Sequence, residues 1–258
     1  MKSLTIVAAA FLAVMLQPAN AADLSVEQVK QVLSRASPQT PADLKGKDLS
    51  DLDLSGLDFR NANLSGANLF ASKLVQADFR GTNLEAANLN GAWLMGADFS
   101  GANLTRASLL SVVVLGGEIR KMPIFKSANM TGVKMIANLP GADLSGADFS
   151  HAMVGVNIRN QGMGQMRTDL SNANLAGVNF SGADVNRSLM SFANLRGGNL
   201  RGASFFRVKL NGADLTGADV TGADFTEADV GGAILRDVKG LTEAKGLDRA
   251  ENFDKVVR

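Results

Sequence analysis

His151, Met153, Met163 and Met166 are the residues whose types and spacing offer the sharpest chemistry in this chain. Thioethers are soft donors that suit Cu(I), and an imidazole beside three of them is a donor set for that ion. Against it stands the plain alternative that methionine fills irregular core; Met130, Met135 and Met190 occupy positions that would face inward. Cysteine is absent, so disulfides and thiol catalysis are excluded. With no Tyr and a single His, a Ser-His-Asp triad would have to use His151. No nucleophile–base pair, paired-acid signature or phosphate loop is present. We therefore expect no enzyme, no cofactor and no metal site, with the Met/His cluster as the alternative. Asp and Asn recur in columns, but the Gly-Gly-x-Gly-x-Asp repeat of calcium β-rolls is missing, so they read as solvated turn residues.

The element that must position all of these is a repeat. From Ala42 to Leu109 a bulky apolar residue returns every five positions: Leu44, Leu49, Leu54, Phe59, Leu64, and so on to Phe99, Leu104 and Leu109. Two places before most of them sits a small residue, as at Ala62, Ala77 and Ala97; Asp or Asn lies between, and Ser/Thr and Gly tend to follow. A second run, Asp169 to Leu235, repeats the pattern. Five residues advance an α-helix about 140° beyond a full turn, which scatters the leucines around it. In a flat strand an odd period sends successive leucines to opposite faces. A chain that bends once per repeat keeps every Leu on a common axis, and Gly, Ser and Asn are the residues such a turn uses. Phe59, Phe79 and Phe99 are twenty residues apart, as are Phe205 and Phe225. Four pentads per coil stack each Phe on the last, which predicts a square solenoid of roughly ten coils about 4.8 Å apart.

Ala-Asn-Leu-Ser-Gly (62–66), Ala-Asp-Phe-Arg-Gly (77–81), Ala-Asp-Phe-Ser-Gly (97–101) and Ala-Asp-Leu-Thr-Gly (213–217) resemble the pentapeptide-repeat family motif. The resemblance covers most of residues 42–235. It implies an all-β solenoid, a right-handed quadrilateral β-helix, with the central Leu/Phe and the preceding Ala pointing inward. It brings no catalytic residues. It implies a binding or scaffold protein; some cytoplasmic members mimic DNA and act on DNA gyrase.

Residues 1–21 read as a secretory signal: Lys2, an apolar stretch from Leu4 to Leu16 too short to span a bilayer, Pro18, and Ala19-Asn20-Ala21 for cleavage. The mature chain then begins at Ala22, exported to a bacterial periplasm, with no membrane span. Residues 22–41 form an N-terminal helical cap, Ser25 and Gln28 making a capping box over Val26, Val29, Val32 and Leu33. Lys47, Leu52 and Leu57 replace the small residue, which suits a wider or partly covered first coil. The β-helix occupies 42–238, with irregular segments at about 110–138 and 155–168. In the first, Val114, Ile119 and Ile124 keep the pentad frame, Met130 and Met135 run one place late, and Leu139 corrects it, giving thirty residues and a whole number of pentads from Leu109. In the second, the frame emerges one residue late at Leu170 after a bulge or small loop. Residues 239–258 form a C-terminal helical cap: Asp248 caps a last helix whose apolar side is Ala250, Phe253, Val256 and Val257. The resemblance allows a homodimer through this end.

The chain has 26 basic and 25 acidic residues; residues 1–21 remove Lys2 alone, leaving 25 against 25. That balance points away from nucleic acid as a partner and away from an acidic mimic of it, unless charge is segregated in space. The expected function is an exported, non-enzymatic binding or scaffold module with a protein partner. The runner-up is periplasmic Cu(I) binding, and below it a DNA-mimic topoisomerase-binding protein. Specificity should lie in the departures from the repeat, around Gly116–Pro123 and Gly155–Gln165.

Overall fold

The computed structural model describes residues 22–114, 121–155 and 167–258. Each pentad contributes one residue, the Asp/Asn position, to a parallel bridge with its counterpart in the next coil, usually twenty residues on: Asp58 with Asp78, Asp78 with Asp98, Asn83 with Asn103. Four columns of bridges result. The first runs Asp48, Asn68, Asn88, Ser108, Lys134, Met153, Asp184, Ser204, Asp224, Lys245, which is ten coils. Two adjoining columns descend from Asp53 and Asp58, and the fourth from Asp43 through Asn63, Asn83 and Asn103. Pairing extends beyond one residue in β1 (Ala42–Asp43) with β2 (Ala62–Asn63), and in β3 (Ser108–Leu110) with β4 (Lys134–Ile136).

The bend that the period demands is closed by backbone hydrogen bonds. Leu57 N–H donates to Leu54 O at the corner, and Gly56 N–H donates to Val75 O in the next coil, 2.8 Å. The residue two past the central Leu is left-handed, as at Gly56 (φ 69°) and Gly66 (φ 67°), a conformation in which glycine has no Cβ to strain. Bulky residues occupy the same position where the ladder holds them there, including His151 (φ 56°), Arg187 (φ 62°) and Phe192 (φ 59°).

Every central residue from Leu44 to Leu109 is buried, and so is the small residue at most corners, making one continuous apolar core down to Leu235. Phe59, Phe79 and Phe99 stack at 4.6 and 4.8 Å between ring centroids, nearly parallel, and Phe205 stacks on Phe225 at 5.1 Å. The first stack goes one ring further than twenty-residue spacing predicts: Phe125 lies 5.1 Å from Phe99.

That extra ring corrects the frame expected through the first irregular segment. Ile124 is not the inward residue; it pairs with Asp98 in the bridge column, and Phe125 is buried beneath it. Phe125, Met130 and Met135 share one frame and are all fully buried, so the two methionines are not displaced. Val113 pairs with Trp93 and Ile124 with Asp98, so eleven residues make a step that takes five elsewhere. The step from Met135 to Leu139 is one residue short. The segment from Leu109 to Leu139 therefore makes five steps, not six: six surplus residues and one deficit also total thirty. In the second break, Met153 pairs with Asp184 and Asp169 with Leu189, so sixteen residues make a single step. Ile119, and the residues between Gly155 and Arg167, lie outside the described residues.

At the N-terminal end, α1 (Val26–Ser34) carries the expected capping box. Gln28 N–H donates to Ser25 Oγ, and Gln28 Oε1 accepts from Ser25 N–H at 2.7 Å. Val29 is fully buried, and Val32, Leu33, Leu52 and Leu57 pack against the core. Asp23 stands in for a missing coil: its N–H donates to Asp48 O, and its carboxylate accepts from Asp48 N–H at 2.9 Å.

The C-terminal end differs from expectation. Residues 239–258 hold no α-helix; they form a tenth coil stepped in sixes, with Lys239, Lys245, Glu251 and Val257 pairing to Asp219, Asp224, Asp229 and Ile234. Asp248 is no helix cap; it sits within a short 3-10 turn, Leu247–Arg249, and Phe253–Lys255 forms another. The sequence shows the hexad once the register is known: Gly-Leu-Thr-Glu-Ala-Lys, Gly-Leu-Asp-Arg-Ala-Glu, Asn-Phe-Asp-Lys-Val-Val. Gly240, Gly246 and Asn252 are left-handed, while Leu241/Ala244, Leu247/Ala250 and Phe253/Val256 lie on the end of the core. Val257, expected on the apolar side, is exposed.

Candidate functional site

His151 and Met153 sit on either side of one corner, separated by the buried Ala152. The imidazole lies over Gly182, so close that a Cβ there would fall 2.8 Å from Nδ1. Met153 is half exposed on the first column between Lys134 and Asp184. Met163 and Met166 lie outside the described residues. Among the described residues, no three His, Asp or Glu side chains cluster in a way that could hold a metal. Met130, Met135 and Met190 are fully buried, filling the core as their frame positions require.

The Asp and Asn columns are more than solvated turn residues. Asn68 Nδ2 donates to Asp48 Oδ1 (3.0 Å) and Asn88 Nδ2 to Asn68 Oδ1 (2.8 Å). Like ladders run Asn63–Asn83–Asn103, Asp143–Asn174–Asn194 and Asp148–Asn179–Asn199. The same Oδ1 commonly accepts the N–H two residues on, pinning its own corner, as from Ser65 to Asn63. At Asp48, Asp98, Asp214, Asp219 and Asp224 the Ser or Thr hydroxyl of the corner adds a charge-assisted bond, as Thr221 Oγ1 to Asp219 at 2.6 Å. These bonds favour the ionised form. The Thr221 hydroxyl and N–H hold the Asp219 carboxyl down at about 2, and the Ser50 hydroxyl holds Asp48 below its ordinary value. Asp78 is lowered by hydrogen bonding and charge from Arg80.

One wall interrupts this chemistry: Asp53, Asp169 and Asp229 still accept the N–H two residues on, but Lys, Trp, Val and Leu take the positions between them. Its column reads Asp53, Lys73, Trp93, Val113, then Asn138, Asp169, Leu189, Lys209, Asp229, Glu251. Trp93 is 39% exposed. Val113 and Asn138 are not bridged, so the column is interrupted there. Both long steps and the short one abut this wall: the eleven-residue step leaves it, and the four- and sixteen-residue steps enter it. Where they meet, an open cleft of about 440 Å³ is lined by Ser111, Val112, Ile136, Ala137, Asn138, Arg167, Asp169 and Leu189. The cause is local: the short step leaves Ile136 without the corner residue that usually follows it. The floor is aliphatic, and Arg167, Asp169 and Asn138 give it a polar margin, an arrangement suited to receiving an apolar side chain. The breaks are legible in the sequence but their convergence is not, because counting in fives from Leu109 puts Leu139 on the next wall.

A model of pentapeptide repeats matches residues 42–69, 62–101, 72–110, 137–154, 168–205 and 203–239. Among solved structures the chain is similar to HetL, a pentapeptide repeat protein involved in heterocyst differentiation regulation in the cyanobacterium Nostoc sp. strain PCC 7120. The two are 27% identical over 91% of this chain and 100% of that one, with a TM-score of 0.40. A pentapeptide repeat protein of the Arabidopsis thaliana thylakoid lumen is 34% identical over 45% of this chain and 70% of its own, with a TM-score of 0.26. QnrB1, a plasmid-mediated fluoroquinolone resistance protein, is 19% identical over 82% and 92%, with a TM-score of 0.40. None of the curated proteins matches. The matched repeats take in most of the chain, their spacing is the spacing of the bridge columns, and the chain accordingly belongs to the pentapeptide-repeat family, whose fold is a right-handed β-helix.

Proposed function

We propose that the protein is a non-enzymatic binding module, exported to a bacterial periplasm, whose four-walled rod presents a protein-recognition surface on the wall that carries Trp93, Val113, Asn138 and Leu189. Helix α1 closes one end of the rod and the hexad coil closes the other, where two copies can meet. The observation that carries the reading is the convergence of all three spacing breaks on one wall, at an aliphatic cleft beside an exposed tryptophan. Two of the remaining walls, those that descend from Asp58 and from Asp43, are largely committed to Asn ladders and ion pairs within the molecule. Rigid scaffolds place recognition where the regular pattern is interrupted.

Affinity capture from the envelope fraction, with the intact protein as bait, tests the surface. Trp93→Ala and Leu189→Asp should keep the melting temperature within a few degrees and abolish capture of the partner. Capture that survives both moves the site to another wall. Export has its own measurement: the protein from its native host should begin at Ala22, and a start at Met1 removes the periplasmic assignment.

A further inference from the structure

Formal charge is nearly balanced over the whole chain, at +1, yet it is not balanced along one corner. Arg167, Arg187 and Arg207 occupy the same corner position in three successive coils, about 4.8 Å apart by the spacing of adjacent strands. With Lys209 from the adjoining wall they line a cleft of about 160 Å³, whose other residues are Glu227 and Glu251. Four cations thus line the cleft with two carboxylates, and Asp229 beside Lys209 adds a third. The pairing inside the cleft is uneven. Arg207 Nε bonds Glu227 at 2.6 Å, and Lys209 lies 3.1 Å from Glu251 and 3.4 Å from Asp229. Among the described residues, Arg167 and Arg187 have no carboxylate within 4 Å, as is true of Arg35, Arg236, Arg249 and Arg258, whereas Arg60, Arg80, Arg106, Arg196 and Arg201 each have at least one; what sets Arg167 and Arg187 apart is that they share a cleft.

Phe206 organises the group. The guanidinium of Arg207 lies 4.9 Å from its ring centroid and that of Arg187 5.7 Å, so one aromatic ring receives two cations of like charge. Stacking limits the freedom of both side chains, and an anion in the cleft they line offsets the repulsion of their like charges. A guanidinium fork matches the two or more oxygens of a carboxylate or phosphate. Glu227 and Glu251 close the C-terminal end of the cleft with negative charge, which opposes a polyanion running along the rod and favours one compact anionic group at the Arg167–Arg187 end.

We infer that this corner is an oxyanion-binding site, Arg167 and Arg187 supplying the donors, Phe206 holding Arg187 in place, and Glu227 and Glu251 restricting the ligand to a single anionic group. The inference concerns a small ligand in a second cleft, which shares Arg167 with the partner-binding cleft above, and Arg187 tests it independently of that reading.

The test is calorimetric titration of the full chain with inorganic phosphate, and in a second arm with an acetylated, amidated peptide carrying one glutamate. Saturable one-to-one binding in either arm supports the site; phosphate alone assigns a phosphate-type ligand, and the peptide alone a carboxylate. Arg187→Gln and Arg167→Gln should each weaken binding at least tenfold, Arg187→Lys should retain part of it, and Arg236→Gln, an exposed arginine on another wall, should leave it unchanged. Circular dichroism establishes that each variant is folded. No saturable binding in either arm, or binding that persists in the folded double variant, overturns the inference.

Discussion

At the scale of single residues, the central position of each pentad decides whether a coil stacks. Phe79 has a ring above and below it at 4.6 and 4.8 Å and is fully buried. Phe79→Ala removes two stacked contacts at once and should lower stability by about 3–5 kcal/mol, measured by chemical denaturation; a loss below 1 kcal/mol would mean the core collapses around the gap. Ser188 gives a prediction of opposite sign. It is fully buried, and its Oγ finds no hydrogen-bond partner, while Ser72 and Thr168 at the same position of other coils donate to backbone carbonyls. An unsatisfied buried hydroxyl costs about 1–3 kcal/mol. Ser188→Ala should therefore raise the melting temperature or leave it unchanged, and a clear fall would show that Oγ has a partner after all.

At the scale of elements, the corner sets the step length and the C-terminal coil changes it. The six-residue step carries its left-handed residue directly after the bridge, at Gly240, Gly246 and Asn252. At Gly246 a Cβ would meet Thr226 backbone at 2.6–2.7 Å, and the φ of 71° is unfavourable for any other side chain. Gly246→Ala should destabilise the last coil by about 1–3 kcal/mol. In a linear array that loss stays near the end, so amide exchange should quicken around residues 239–258 while the Phe59–Phe125 stack keeps its protection. Exchange rising equally along the whole chain would mean that the terminal coil is required for the rest to fold.

At the scale of the whole molecule, lowered carboxylates recur on several walls, and their sum sets the acid limit. Asp48, Asp78 and Asp219 all have folded-state values below the ordinary 3.8, Asp219 reaching about 2. A depressed carboxylate binds fewer protons in the folded than in the unfolded chain, so its contribution is complete above about pH 4 and is lost as pH falls toward 2. Melting temperature should be flat from neutral pH down to about 4.5 and fall steeply below it. Asp219→Asn should shift that fall to a smaller amplitude without moving the neutral plateau far, because Asn at this position still bonds its corner N–H, as Asn199 does one coil earlier. An unchanged acid limb would remove Asp219 from the titrating set.

The five-residue period, the inward Leu/Phe, the small corner residue and the Phe stacks were all legible in the residues, because each follows from local geometry: one bend per pentad leaves no other way to bury every Leu. The capping box of α1 was equally local. What only the tertiary structure decided lay where the period breaks. Thirty residues between Leu109 and Leu139 divide evenly by five, and counting alone cannot separate six regular steps from five irregular ones; the bridges of Ile124 to Asp98 and Asn138 to Asp169 can. The hexad of the last coil, the Asn ladders and the Arg167–Arg187–Arg207 column have the same character. Their members are close only because coils stack, and stacking register is a long-range pairing that no short window of sequence contains.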